Sequence, residues 1–144
     1  RTDTILTPHP LEAARLLGMT GAIVQADRLS AAGELARRFN ATVILKGAGS
    51  VIARGEQVVV NTSGNPGLAT AGSGDVLAGM CGSLLAQGWP VWEAALGATW
   101  IHGEAADELV AGGVGPIGMT AGELPVAARA VLNSLVERFG RLRS

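Results

Sequence analysis

Between Asp27 and Phe39 the apolar residues Leu29, Ala32, Leu35, Ala36 and Phe39 recur at helical spacing with charges between them, and the chain then passes into an unbroken apolar and β-branched run, Ala41 to Leu45. The first pattern predicts an amphipathic helix over Asp27 to Phe39. The second predicts an interior strand of a parallel sheet covered on both faces, because a strand with one wet face would alternate. Upstream, Ile5 and Leu6 end a short buried strand. Thr7-Pro8-His9-Pro10 then turns, since each proline restrains itself and the residue before it. Leu11, Ala14, Arg15, Leu16 and Leu17 fit a short helix after Pro10, with Gly18 as its stop.

Downstream, Val51 to Ala53 and Gln57 to Val60 flank Arg54-Gly55-Glu56, which predicts a hairpin with glycine in the tight turn. The stretch NTSGNPGLATAGSG reads as a long loop. Three helices follow, over Ser73 to Ala86, Trp92 to Val110 and Leu124 to Phe139. Gly79 and Gly82 on the first are read as close-packing positions. Thr120 and Glu123 have capping-box spacing ahead of the last. Helices outnumber strands, yet the strand type and the strand-to-helix connections indicate a layered α/β protein. The strands are too few for a complete doubly wound sheet, and the missing ones are expected from residues upstream of Arg1 or from a partner chain, the first being simpler.

The 144 residues fit one domain, and 48% hydrophobic content with 16% charged residues supplies a packed core. A formal net charge of −1 argues against general affinity for nucleic acid or for an anionic membrane, so any phosphate binding must be local. With a single cysteine, Cys81, no intrachain disulfide can form, and a reducing, cytoplasmic setting is expected. The 21 glycines favour close approach of backbone to backbone or to ligand.

The strongest chemical feature is the glycine-dense loop that runs through Gly72-Ser73-Gly74-Asp75 directly into a helix. The first turn of a helix has unpaired N–H groups and the positive end of the macrodipole, and glycines remove side chains that would hold an anion away. Asp75 admits two readings here. It stabilises the helix start, worth ~0.3–1 kcal/mol, or it takes the proton of a substrate hydroxyl while neighbouring amides hold the charge that develops on a transferred phosphoryl group. Lys46 leaves the end of an apolar strand just before Gly47-Ala48-Gly49-Ser50, where ligands of open α/β folds sit, and its ammonium suits a phosphate; a solvated lysine at a strand end is the plainer alternative. His9, fixed between two prolines, is a candidate binding residue or an incidental one. His102, with Glu104 and Asp107 nearby, lacks any metal-ligand spacing and is read as packing or surface. Cys81 is read as core, and the three tryptophans as helix or oligomer anchors.

The succession TPHPLEAARLLG, VILKGAGSVIA and NTSGNPGLATAGSGDVLAGMCGSLLAQG resembles the C-terminal part of the NAD(P)H-hydrate dehydratases over nearly the whole chain. The long pattern NPG-x-AT-x-G-x-GD is specific to that group, whereas GxGD alone is shared with ribokinase-like sugar and vitamin kinases. The resemblance implies a ribokinase-like layered fold, here the C-terminal half of the sheet with its flanking helices, so that residues 1–144 are one domain or a fragment of a carbohydrate-kinase-like domain. It implies ADP- or ATP-consuming repair of hydrated NADH and NADPH, with Mg²⁺ accompanying the nucleotide and no metal ligand from the protein itself.

By the same matching, Asp75 would be the base and a substrate contact, and Gly72 and Gly74 the anion hole. Lys46, Gly47, Ala48, Gly49 and Ser50 would line the adenine nucleotide. His9 would contact the hydrated dinucleotide, and Asn65 would sit in the loop between the two ligands. Ser63 and Ser73 stand where relatives often have Thr and Met. The resemblance further implies a homo-oligomer and a need for the N-terminal remainder of the same domain. A ribokinase-like kinase that stops at phosphorylation, or a nucleotide-binding fragment without turnover, would share the same loop.

Overall fold

The computed structural model describes residues 2–140. The chain runs β1 (Ile5–Leu6), α1 (Pro10–Leu17), α2 (Gly21–Ala26), α3 (Arg28–Phe39), β2 (Thr42–Leu45), β3 (Val51–Arg54), β4 (Gln57–Val60), α4 (Ser73–Ala86), α5 (Val91–Ala111) and α6 (Leu124–Gly140), with short 3-10 turns at Pro66–Leu68 and Ala121–Glu123. The strands form one sheet in the order β1-β2-β3-β4. All four residues of β2 are buried, as the apolar run requires.

Successive side chains of a strand point to opposite faces, and the core divides accordingly. Val43, Leu45, Val51 and Ala53 face a layer built from Ala13, Leu17, Val24, Ala32 and Leu35 of α1 to α3. Ile44 and Ile52 face Leu77, Cys81 and Leu84 of α4 and Ala94, Ala95 and Ala98 of α5. A third cluster, around Ile101, Ala105, Met119, Leu124 and Ala128, packs α5 against α6. The result is helix, sheet, helix. β4 is exposed along its whole length, although α3 still reaches it.

The sheet is mixed, which corrects the expectation of a parallel one. β2 is parallel to β1 but antiparallel to β3, and β3 is antiparallel to β4. The connections decide this. Residues 7–41 carry three helices and can cross over between parallel strands, whereas the short turn Lys46–Ser50 cannot, because a parallel return needs about a dozen residues or more.

Helix α2 is absent from the sequence reading. It has fewer than two turns and one buried residue, Val24, so no apolar period can appear; Thr20 starts it, its hydroxyl accepting from the Ile23 N–H at 3.3 Å. Gly79 and Gly82 also depart from expectation. A Cβ built on either meets nothing within 4 Å, so neither is a close-packing position within this chain. Gly82→Ala is therefore expected to stabilise the chain by about 0.5–1 kcal/mol through helix propensity alone, read as a raised Tm. A lowered Tm would show that this face is occupied.

No described helix is long and apolar enough to cross a membrane.

Candidate active site

Lys46 follows the last residue of β2 and leaves the sheet at the end where the α4 N-terminus also arrives. Its main chain is fixed by donation of the Lys46 N–H to the Pro8 carbonyl at 2.9 Å. The side chain reaches the start of α4, where a Cβ added to Gly74 would lie 2.8 Å from Lys46 Nζ. A cation at the positive end of a helix is electrostatically unfavourable unless an anion joins it. Among the described residues no carboxylate lies within ion-pair distance of Lys46. Lys46 acts weakly on Glu12, whose carboxylate accepts the His9 N–H at 2.7 Å; that bond lowers its pKa most, with the charges of His9 and Lys46 contributing less.

The start of α4 can be accounted for donor by donor. Ser73 N–H donates to the Thr70 carbonyl at 3.3 Å and Val76 N–H to the Gly72 carbonyl at 3.1 Å. Gly72, the N-cap, offers no side-chain acceptor and has φ 86°. The N–H groups of Gly74 and Asp75 are left with no acceptor among the described residues. Two orphan amides, a helix dipole and an uncompensated ammonium therefore converge, which is the composition of an anion site.

These groups border a cavity of about 180 Å³ lined by Lys46, Gly47, Ser50, Asn61, Ser63, Leu68, Ala69, Ser73, Gly74, Leu77, Thr99, His102 and Gly103. A larger groove of about 360 Å³ runs between α5 and α6, but Glu104 and Glu108 line it with Arg138 as its one cation, which does not suit a phosphate.

Of the residues expected at the site, Lys46, Gly47, Ser50 and Gly74 line the one cavity. Ala48 and Gly49 belong to the same exposed turn but do not line it. Gly72 and Asp75 lie exposed beside it, and the Asp75 carboxylate has no hydrogen bond or ion pair among the described residues. His9 and Asn65 are occupied elsewhere. His9 caps α1, its Nδ1 accepting from the N–H groups of Leu11 and Glu12 at 3.2 Å each. The Asn65 side chain accepts from Gly67 N–H at 3.0 Å and donates to the Asp107 carboxylate at 2.9 Å, while Gly64 N–H donates to the same carboxylate at 2.8 Å. Asp107 thus ties the loop to α5.

Two residues at the site are missed by sequence reasoning. Arg28, at the start of α3, donates to the Ala48 carbonyl at 2.7 Å and the Leu45 carbonyl at 3.1 Å, and burial lowers its pKa. A Cβ on Gly47 would come within 2.6 Å of its guanidinium, so glycine is required there for the turn to close over the arginine. In sequence Arg28 is one more charge on an amphipathic helix. Arg28→Leu is expected to cost about 1–3 kcal/mol in stability, given two bonds from a charged, partly exposed donor. Faster hydrogen exchange at the Lys46 and Asn61 amides, which bracket the turn, is the diagnostic; unchanged protection would show that the turn holds itself.

The second is His102, read from sequence as packing or surface. It is buried at 7% exposure, lines the cavity, and its Nε2 lies 2.9 Å from the Ser73 carbonyl oxygen. Burial pushes its pKa below the ordinary histidine range, the Ser73 carbonyl opposing and Lys46 adding to the effect. The ring is therefore neutral at pH 7, with its proton on Nε2, because a carbonyl can only accept. Cys81 behaves as expected of a core residue: it is buried, and desolvation pushes its thiol up to about 11, which removes it as a nucleophile. No group of three or more His, Cys, Asp or Glu among the described residues could hold a metal ion.

A model of a family described as NAD(P)H-hydrate dehydratase matches residues 1–125. An ADP-dependent (S)-NAD(P)H-hydrate dehydratase of Neisseria meningitidis serogroup B is 54% identical over 136 residues, covering 94% of this chain and 46% of that protein. The structure of an ADP/ATP-dependent NAD(P)H-hydrate dehydratase from Bacillus subtilis, co-crystallized with ATP/Mg²⁺ and soaked with CoA, superposes with a TM-score of 0.83 at 32% identity, over 93% of this chain and 52% of that one. A ribokinase-like superfamily protein from Enterococcus faecalis superposes with a TM-score of 0.75 at 27% identity, over 90% of this chain and 44% of that one. The fold is ribokinase-like, and the chain spans about half the length of these three relatives.

Proposed function

Because this chain belongs to the NAD(P)H-hydrate dehydratase family, we propose that it forms the phosphate-holding half of an enzyme that dehydrates hydrated NADH or NADPH at the expense of ADP or ATP. The observation that carries this reading is the pair of unpaired amides at Gly74 and Asp75 with the unpartnered Lys46 ammonium set against them. In the reaction, the Asp75 carboxylate accepts the proton of the hydrate's hydroxyl as that oxygen attacks the terminal phosphoryl group, whose P–O bond to the rest of the nucleotide breaks so that AMP leaves from ADP, or ADP from ATP. The developing negative charge meets the Gly74 and Asp75 N–H groups and Lys46 in a partly buried site, where fixed dipoles need no reorganisation. The C–O bond then breaks, the ring-nitrogen lone pair expelling phosphate, and loss of a proton from the neighbouring ring carbon restores the reduced nicotinamide.

The nucleotide lies against Lys46, Gly47 and Ser50, with Ala48 and Gly49 continuing the same turn. Gly72 keeps the approach to the amides free of a side chain. His9 and Asn65 act by shaping the surrounding loops, since their side chains already hold main-chain partners. Mg²⁺ supplies neutralisation of phosphate charge when bound. An ion carried by phosphate oxygens and water would need no ligand from the protein.

The chain serves as the C-terminal part of a carbohydrate-kinase-like domain. β1 ends the sheet with one neighbour, and its outer edge is where further strands of a domain of the relatives' length would pair. A cytoplasmic setting is supported by the single buried cysteine. The 36% exposure of Trp100 supports self-association through α5, whereas Trp92 packs inward.

The test combines hydrated NADH with ADP or ATP and Mg²⁺, using a polypeptide of the relatives' length that contains this chain and, separately, the 144 residues alone. Recovery of reduced-nicotinamide absorbance in the longer protein supports dehydration, and a phosphorylated alcohol without recovery identifies a kinase instead. Full turnover by the 144 residues alone would refute the dependence on the rest of the domain.

A further inference from the structure

We propose that His102 is a positioning residue that aims the Gly74 amide at the bound phosphate, an inference that rests on the anion-site reading above. The start of α4 lacks a side-chain cap. Its N-cap is Gly72, and Ser73 is flanked by glycines on both sides. Glycine has the greatest backbone freedom of any residue, so the peptide units around residue 73 have little intrinsic stiffness. A side-chain cap on the open end would occupy the very amides that a ligand needs. The fold instead holds this turn from behind.

The peptide joining Ser73 and Gly74 is planar, so its carbonyl and its N–H point in opposite directions and cannot turn separately. His102, projecting from α5, donates Nε2–H to that carbonyl at 2.9 Å. Fixing the Ser73 oxygen therefore fixes the direction of the Gly74 N–H. Ser73 is secured twice more, through its hydroxyl to the Leu68 carbonyl at 2.6 Å and its N–H to the Thr70 carbonyl at 3.3 Å, but neither bond involves the 73–74 peptide. Among the described residues, the imidazole is the one side chain that bonds to that unit. A neutral ring suits the task, because a lysine or arginine donor would place a second charge beside Lys46 in a buried setting, whereas imidazole supplies the N–H without one.

The experiment compares the wild-type chain with His102→Phe, which keeps a buried ring without a donor, His102→Gln, whose amide N–H reaches about as far as Nε2, and His102→Asn, whose amide is too short. Binding of ADP and of inorganic phosphate is measured by calorimetry, and the Gly74 amide is followed by ¹H–¹⁵N NMR during phosphate titration. The expected result is a loss of roughly tenfold or more in ADP affinity for Phe and Asn, the effect of one misdirected hydrogen bond, with Gln within about threefold of wild type. The phosphate-induced shift at Gly74 should shrink in Phe and Asn and persist in Gln. Wild-type affinity in both Phe and Asn overturns the proposal, as does equal loss in Gln and Asn, which would trace the effect to ring packing. If Phe does not fold, the Gln and Asn pair decides alone. Failure of the wild-type chain to bind either ADP or phosphate is a different result: it removes the anion site itself, and this inference with it.

Discussion

Asp75→Asn is expected to reduce hydrate-dependent turnover of a relatives-length polypeptide by roughly 10²–10⁴-fold, the range of a lost general base, while leaving ADP affinity unchanged or slightly raised. The substitution keeps size and most hydrogen-bonding capacity and removes only the charge. That charge stands next to a phosphate site, where it opposes the ligand, so its removal cannot weaken nucleotide binding on electrostatic grounds. A purely structural Asp75 gives a different outcome. Loss of its interaction with the α4 dipole costs only ~0.3–1 kcal/mol of stability, with turnover intact. One observation favours that outcome: Asp75 lies on the exposed rim and does not line the cavity within this chain. Its lack of any hydrogen bond or ion pair among the described residues favours the other, since a base must be free to accept. Steady-state kinetics alongside calorimetric ADP binding separates the two, and intact turnover in Asp75→Asn would rule out Asp75 as the base.

Gly74→Val is expected to abolish measurable nucleotide binding, with a loss of roughly 10²-fold or more if two charge-assisted hydrogen bonds are forfeited. The reason is steric. A single Cβ at position 74 already falls 2.8 Å from Lys46 Nζ, the far end of a flexible side chain that can swing away at small cost. Two further methyl groups fill the space in which the ammonium and the ligand must meet. Gly74→Ala should accordingly be mild, and Lys46→Met should resemble Gly74→Val, because either change separates the cation from the amides. Undiminished ADP binding in Gly74→Val would place the phosphates elsewhere. Helical circular dichroism of the variant provides the control, as a β-branched residue in the first turn of α4 has only a small propensity cost of its own.

The site was legible in sequence where its physics is local. Orphan amides at a helix start follow from the chain itself, and the glycines of residues 72–74 announce them without reference to the rest of the fold. Lys46 was legible for a similar reason, since the apolar run of β2 places its next residue at the sheet's end. His9 was legible as a polar group in a constrained turn and Asn65 entered only through the family resemblance, but neither the use of the first as a helix cap nor of the second as a loop tie was legible. The long-range partner of Asn65, Asp107, lies on a helix whose own pattern concerns packing against α4 and α6.

The residues alone determined the order and type of nearly every element, because apolar periods of two and of 3.6 are imposed by strand and helix geometry before any tertiary contact forms. They also determined that unpaired amides open the entrance to α4. Tertiary structure decided which groups support that site. Arg28 reaches the Lys46–Ser50 turn from α3, and His102 reaches Ser73 from α5, 29 positions along the chain. No helical or strand period relates residues so far apart; they meet only because α3 packs on the sheet and α5 packs beside α4, and the sequence carries those pairings as burial rather than as a motif.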